Sequence, residues 1–395
     1  MTHENTDMKR DQIVTCFFIG LFIFILHCSK YKENPVGSEY LQRDNLGLEK
    51  VTLFQSAPTD TFYQTSISTS GSSYLYVGEY HGTRSQSLMQ FSMTDFSDTV
   101  TVDSAIVTLY VNTILGSSQI PFIPTVHQIT ASWEESDISW EDMESGSIIG
   151  NAIPFTETFA NSDSVIFTLP PSLIKSWIDT TDQIENYGIL LTYTTLDTGS
   201  IIQYHSANTT EGTPPILTLF YTENSIKNIS DITPVKDAHV SAMQQEPRSD
   251  RLFIANSIAF RSLLFFDIDV IPANATINRA LLTLHADTSL SYPDNSSLFY
   301  LSAYPVTDPS WPIPLVPYDS STYAEEILEE DSIRINVTSI VEGWIYEFIE
   351  NAGLVLKGIY EDENLQQRGF YSTSADSALH PSLEIMYSTP PSSRM

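Results

Sequence analysis

Most of this 395-residue chain is written twice. Ala105-Ile-Val-Thr-Leu-Tyr-Val111 returns as Ala280-Leu-Leu-Thr-Leu-His-Ala286, and Ser87-Leu-Met-Gln-Phe91 returns as Ser262-Leu-Leu-Phe-Phe266. The stretch from Ser206 to Tyr221 matches that from Ser372 to Tyr387, with Pro215, Leu217 and Leu219 corresponding to Pro381, Leu383 and Ile385. A repeat of roughly 175 residues is too long for a solenoid unit and has the size of a whole domain, so the chain reads as two tandem domains. Each copy also records which positions of the other tolerate replacement, and so separates packing residues from candidates for function.

The apolar runs are short, rich in Val, Ile, Leu, Thr, Tyr and Phe, and bounded by Ser, Asn, Asp, Gly or Pro. That pattern predicts an all-β chain of two antiparallel, jelly-roll-like β-sandwiches with little helix. The expected boundaries are 49–222 and 231–388, with a linker at 223–230 where the correspondence lapses and a tail at 389–395. Period-2 alternation assigns faces. Leu75 and Val77, matched by Leu252 and Ile254, point inward, as do Ala105, Val107 and Leu109. Tyr74, Tyr76 and Tyr110 then point outward, and the second copy places Arg251, Phe253 and His285 at those positions. Asn186-Tyr-Gly188 and Asn351-Ala-Gly353 read as turns feeding core strands. Short helices are expected around Trp177 and Trp344, and another at 324–330.

At the amino terminus, Lys9 and Arg10 precede an apolar run from Ile13 to Leu26, the length of a signal-peptide core and short of a membrane-crossing helix. Residues 1–28 therefore read as an export segment and 29–48 as a polar tether. Ile25-Leu-His-Cys28 resembles a bacterial lipobox, which implies lipid attachment at Cys28. Cleavage elsewhere, or an uncleaved anchor, are the alternatives, and all three place the domains outside the cytoplasm, at a bacterial outer membrane or cell surface. Cys16 and Cys28 are the two cysteines, so the domains contain neither disulfide nor thiol chemistry.

Acidic residues number 49 against 18 basic, a net charge of -31. Both copies share it: 19 acids and 3 bases in 49–222 (-16), 23 acids and 8 bases in 231–388 (-15). Phosphate contacts need Lys and Arg, so nucleic acid is excluded as a partner. Arg248, Arg251 and Arg261 make the second copy the one place where an anionic sugar finds charge partners.

Arg261-Ser-Leu-Leu-Phe-Phe-Asp-Ile268, Gln86-Ser-Leu-Met-Gln-Phe-Ser-Met93, the segment from Ile129 to Trp140 with its Trp133-Glu-Glu centre, and the endings from Gln203 to Tyr221 and Gly369 to Tyr387 carry a resemblance. Together they resemble the DNRLRE domain family, β-sandwich modules of bacterial and archaeal surface proteins, over about 50–222 and 231–388. The resemblance implies a sandwich fold and, because some members are carbohydrate-binding modules, glycan binding.

No HExxH, GxSxG, GxGxxG, P-loop or CxxC motif occurs. His127, His205, His239 and His285 align with Tyr304, Tyr371, Phe62 and Tyr110, so these imidazoles read as packing or surface groups. Glu134, Glu135, Asp137, Glu141 and Asp142 read as a solvated edge; a structural Ca²⁺ there is chemically open but matches no EF-hand order. Trp177 pairs with Trp344 and Trp133 with Trp311 as core wedges, whereas Trp140 has no counterpart. An aromatic face flanked by polar groups is what a pyranose needs. The expected carbohydrate-binding residues are thus Tyr74, Tyr76, Tyr110, Trp140, Arg251, Phe253 and Arg261. The function expected is non-catalytic binding of polysaccharide or another surface polymer, with no cofactor. A structural or adhesive protein with protein partners is the second reading, and a glycan-active enzyme the third.

Overall fold

In the computed structural model the chain forms two antiparallel, curled sheets that make two β-sandwich-like domains, about 51% strand and 8% helix. The structure describes residues 48–390 apart from 55–59, 156, 180–183, 195–198, 245–247, 293–297, 311–315 and 329–330. The export segment with Cys28, and Trp311, lie outside the described residues. No described helix is long and apolar enough to cross a membrane.

The chain opens with β1 (Leu48–Phe54) and β2 (Asp60–Gln64). Next come β3 (Tyr74–Tyr80), β4 (Thr83–Phe91), β5 (Thr101–Gly116), β6 (Thr125–Ile129), β7 (Ile149–Ala152), β8 (Thr158–Ala160) and β9 (Ser164–Leu169). β10 (Ile189–Thr192), β11 (Ser200–His205), β12 (Ile216–Glu223), β13 (Ile226–Ile232) and β14 (Pro234–Met243) complete the first set. The second set is β15 (Arg251–Ala255), β16 (Phe260–Leu264), β17 (Thr276–Tyr292), β18 (Phe299–Pro305) and β19 (Ala324–Leu328). It ends with β20 (Ser332–Asn336), β21 (Leu354–Gly358), β22 (Gln367–Tyr371) and β23 (Ser382–Ser388).

The alternation places the cores as expected. Leu75, Val77, Ala105, Val107 and Leu109 are buried in one core, and Leu252, Ile254, Ala280, Leu282 and Leu284 in the other. β5 pairs with β12 and β9 through its first half and with β11 through its second; β17 repeats this with β20 and then β22. One long strand thereby serves both layers of each sandwich.

Strand pairing departs from the expected partition. The segment 223–230, expected as a linker, is the turn and most of a hairpin strand, since β13 pairs with β12 from Leu217–Ile232 to Glu223–Ile226. β14, which opens the second sequence copy, runs antiparallel to β4 of the first, with His239 opposite Ser87. β2, which opens the first copy, runs antiparallel to β16 of the second, with Phe62 opposite Ser262. β1 lies beside β23, and Lys50 pairs with Glu384 at 2.7 Å. His239 corresponds to Phe62 and Ser87 to Ser262, so the two copies exchange equivalent strands in equivalent register. The first sandwich is continuous in sequence from β3 to β14, and the second, from β15 onward, is closed by β1 and β2 from the start of the chain. The physical reason is that a strand with one apolar face is satisfied by either sheet, so alternation alone does not select the partner. Tyr63 seals β2 against Leu263, Val306, Val316 and Val355, while Ala238 and Val240 seal β14 against Leu88, Ile129, Trp133 and Leu190. Full burial of one such aliphatic side chain is worth about 1.5–3 kcal/mol. Consistent with this interlock, Lys50–Tyr387 form one compact unit.

The Asn-x-Gly turns recur atom for atom. Asn186 donates through Nδ2 to the Phe91 carbonyl (2.7 Å) and Asn351 to that of Phe266 (2.9 Å). Gly188 (φ 91°) and Gly353 (φ 98°) occupy backbone that favours glycine. Short helices α1 (Trp140–Ser145), α2 (Pro171–Ile178) and α3 (Thr338–Ile345) follow; the latter two carry the buried Trp177 and Trp344 into the cores as expected. Of the segment 324–330, expected as helix, Ala324–Leu328 form strand β19, because their backbone pairs with β18 from Ala303–Ala324 to Phe299–Leu328; the last two residues lie outside the described residues.

Candidate functional site

The expected outward tyrosine face does not form. Tyr76 points away from its own core, but the second sandwich covers it, leaving it 1% exposed. Its hydroxyl donates to the Glu363 carbonyl (3.0 Å) and accepts from Gln203 Nε2 (2.6 Å), and burial pushes the phenol pKa upward. Phe253, the matching residue, is equally buried, among Phe260, Ala255 and Ile258 and against Phe62. Both are interior packing groups. Tyr74 is half-buried with its ring 5.9 Å from that of His205. Tyr110 is half-buried opposite Ser164 on β9, in the half of β5 that does not pair with β11.

The arginines are committed to carboxylates rather than presented to a ligand. Arg261 makes a two-pronged pair with Glu361, Nε to Oε1 at 2.9 Å and a terminal nitrogen to Oε2 at 2.7 Å, and Lys357 joins the same carboxylate at 3.1 Å. Arg251 binds Asp287 at 2.8 Å and Asp250 at 3.0 Å and lies over the Tyr371 ring. Arg248 binds Asp250 at 2.6 Å. Such pairs spend both the charge and the planar geometry that an anionic sugar would use.

Trp140 is placed differently. It opens α1, which Ser139 and Asp142 cap: the Asp142 carboxylate accepts from the Ser139 N–H (2.9 Å) and hydroxyl (2.7 Å). Its indole N–H donates to Glu144 (2.9 Å), and the Arg84 guanidinium lies 4.9 Å from the ring centre. The side chain also lines a cleft of about 660 Å³, within the range of small-ligand sites. One wall is Ser136–Glu141, including Trp140, from the first copy. Another is Gln64–Ile67 with Thr69, as the chain leaves β2; the rest is His239–Ser241 on β14 with Ser257 and Ile258 after β15. The cleft therefore sits where the exchanged strands cross.

Hydroxyls dominate it: Ser66, Ser136, Ser139, Ser241, Ser257, Thr65 and Thr69. Among the described residues that line it there is no Lys or Arg, and the charged members are Asp137 and Glu141. At its floor His239 is buried, with Nδ1 3.1 Å from the Tyr74 carbonyl and Nε2 3.1 Å from Ser257 Oγ. A carbonyl only accepts, so the neutral ring carries its proton on Nδ1 and accepts at Nε2. The Asn364 carbonyl, also 3.1 Å from Ser257 Oγ, competes for the serine proton. Burial lowers the imidazole pKa to about 4. Serine on histidine is a nucleophile-and-base pairing. Here both residues are buried, and a backbone carbonyl occupies the position where a triad carries its carboxylate, so the pair bridges β3, β14 and the second sandwich.

The acidic loop is solvated at Glu134, Asp137 and Glu141, which are exposed, and two of its carboxylates are also tied to β14. Glu134 pairs with Lys236 (3.0 Å), and Glu135 accepts the Asp237 N–H (2.6 Å). Asp237 in turn accepts the Ala207 N–H at 2.6 Å; burial, with Glu135 nearby, raises its pKa to about 6. No cluster of three or more metal-ligating side chains occurs among the described residues. Of the seven expected sugar-binding residues, only Trp140 lines the cleft. Its other members were hidden because Gln64, Ser136, Ser241 and Ser257 are far apart in sequence and meet only through the exchange. His239 gave one signal, an imidazole where the other copy has Phe62.

No family model matches the chain, and no curated protein matches it. Among solved structures, the C-terminal domain of the Streptococcus pyogenes antigen I/II-family protein AspA aligns over 87% of this chain and 91% of its own, at 6% identity and a TM-score of 0.13, too slight to bear on fold or ligand. The chain is defined by its architecture, an all-β protein of two sandwich-like domains.

Proposed function

We propose that the chain is an extracytoplasmic, non-catalytic binding protein that holds an uncharged, hydroxyl-rich polymer, a neutral polysaccharide, in the cleft beside Trp140. The observation that carries this reading is the cleft itself: seven hydroxyl side chains and an indole around about 660 Å³, with two carboxylates and no Lys or Arg among the described residues that line it. Hydroxyls exchange hydrogen bonds with a sugar, the indole offers a face or edge to its C–H surface, and the carboxylates turn away polyanions. The resemblance to DNRLRE modules supports the same class of ligand, and the lipobox-like Ile25–Cys28 supports attachment to a membrane through lipid on Cys28.

Affinity electrophoresis of the full chain through gels containing a neutral glucan, mannan, xylan or galactan tests the ligand. At least one should retard the protein, and Trp140→Ala should weaken that retardation about tenfold; equal mobility of both proteins in every gel refutes it. The anchor is tested by palmitate labelling, which Cys28→Ala should abolish.

A further inference from the structure

Beyond the cleft, we infer a second glycan site on the outer face of the second sandwich, built on β18 and shaped for an uncharged polysaccharide chain lying along the strand. Phe299, Leu301 and Ala303 point into the core, so Tyr300, Ser302 and Tyr304 face outward. Tyr300 meets Tyr360 edge-on at 5.4 Å, and Tyr304 meets Tyr318 at 4.9 Å and Tyr323 at 5.7 Å. Tyr360 is 41% and Tyr323 52% exposed, so each group of rings reaches water. Four residues along a strand separate the two groups by about 13 Å.

Between them the floor is polar. Ser302, opposite Lys357 on β21 and the exposed Glu325 on β19, is itself buried with its hydroxyl donating to the Lys357 carbonyl (3.3 Å), so Glu325 is the polar group exposed there. Lys357 and Arg261 are both held by the buried Glu361, so neither is left as an unpaired cation for an anionic sugar. Aromatic platforms at both ends and a charge-compensated polar floor suit apolar ring faces and neutral hydroxyls, in the same way as a protein pocket fixes orientation with few polar groups.

The first copy does not repeat this arrangement. Tyr304 corresponds to His127, Lys357 to Thr192 and Arg261 to Gln86. Both copies cover part of this face, the first with Trp133 and Met143 packed on Leu190 and Ile129 and the second with Tyr63 and Val316 packed on Leu263 and Val355, but the ring pairs occur on the second. The tyrosine array is therefore a property of the second copy, and with the cleft it gives one chain two sites, whose linkage strengthens binding to a repeating polymer.

The same electrophoresis separates the two sites. Tyr323→Ala/Tyr360→Ala removes exposed rings that lie outside the core clusters, so its melting temperature should match wild type. In a neutral polysaccharide gel that retards wild type, the double variant should bind about tenfold more weakly, and combining it with Trp140→Ala should weaken binding further than either alone. Retardation of the double variant equal to wild type in every gel overturns the second site while leaving the cleft standing. Retardation lost in the double variant but unchanged in Trp140→Ala supports the second site and overturns the cleft.

Discussion

The Asp60 carboxylate accepts both the backbone N–H and the side-chain hydroxyl of Thr373, each at 2.8 Å, across 313 residues of chain. The contact fastens the amino-terminal exchanged strand to the last loop of the second sandwich. Its counterpart is Asp237, which lies in the first half of the equivalent strand β14 and accepts the N–H of Ala207, the residue matching Thr373. Each copy thus latches its own first strands onto the other copy by the same aspartate.

Asp60→Ala removes an ionised acceptor from two donors, and hydrogen bonds to charged groups contribute about 1.5–3 kcal/mol. Chemical denaturation should show a loss of that order, and hydrogen exchange should show β2 and β16 losing protection before the first core does. Unchanged protection of β16 counts against the latch.

Acid stability carries two opposed contributions. His239 has a folded pKa of about 4 against an ordinary 6.5, so its folded state prefers the neutral ring; that stability is present above 6.5 and is lost as pH falls toward 4. Asp237 has a folded pKa of about 6 against 3.8, so its folded state prefers the proton; that stability is present below 3.8 and is lost as pH rises through 6. Each is worth about 3 kcal/mol, and they nearly cancel between pH 4 and 6. Denaturant midpoints should therefore fall on acidification in Asp237→Asn and rise in His239→Phe. The same pH trend in both variants contradicts the assignment.

Gly188→Ala should cost more than about 3 kcal/mol, since φ is 91° and a Cβ would lie 2.1 Å from the Met89 carbonyl oxygen. Gly82→Ala, with φ at 75° and open space, should cost about 1 kcal/mol. Equal thermal shifts for the two would count against the turn geometry.

Arg261→Ala leaves the buried Glu361 carboxylate with Lys357 alone, and breaking such a pair costs about 3–5 kcal/mol. Arg261→Met/Glu361→Leu/Lys357→Met should recover most of that, because all three paired charges are removed together. A triple variant as unstable as Arg261→Ala contradicts a buried charge cluster.

Much of the fold was legible because alternation is local. Leu75, Val77 and Leu109 announce the inward face, and Asn186-Tyr-Gly188 announces a turn that its twin repeats. What alternation cannot report is what covers the other face. Tyr76 does point away from its own core, yet a second sandwich lies there, so an outward residue becomes an interior one. Nor does it choose the sheet that β2 or β14 joins. The arginines misled for a related reason: a charge count sees Arg261 but not Glu361, 100 residues later, which neutralises it. Trp140 was legible because it alone among the described tryptophans lacks a counterpart; the serines around it carry no such mark.

The central claim is that the cleft at the strand crossing holds an uncharged sugar chain. Its most direct measurement is a crystal structure of the full chain with an oligosaccharide of whichever neutral polysaccharide retards it most. Sugar rings are predicted against Trp140, with hydroxyls within hydrogen-bonding distance of Ser136, Ser139 and Ser241. An empty cleft with the saccharide bound elsewhere, or no neutral saccharide bound at all, would contradict it.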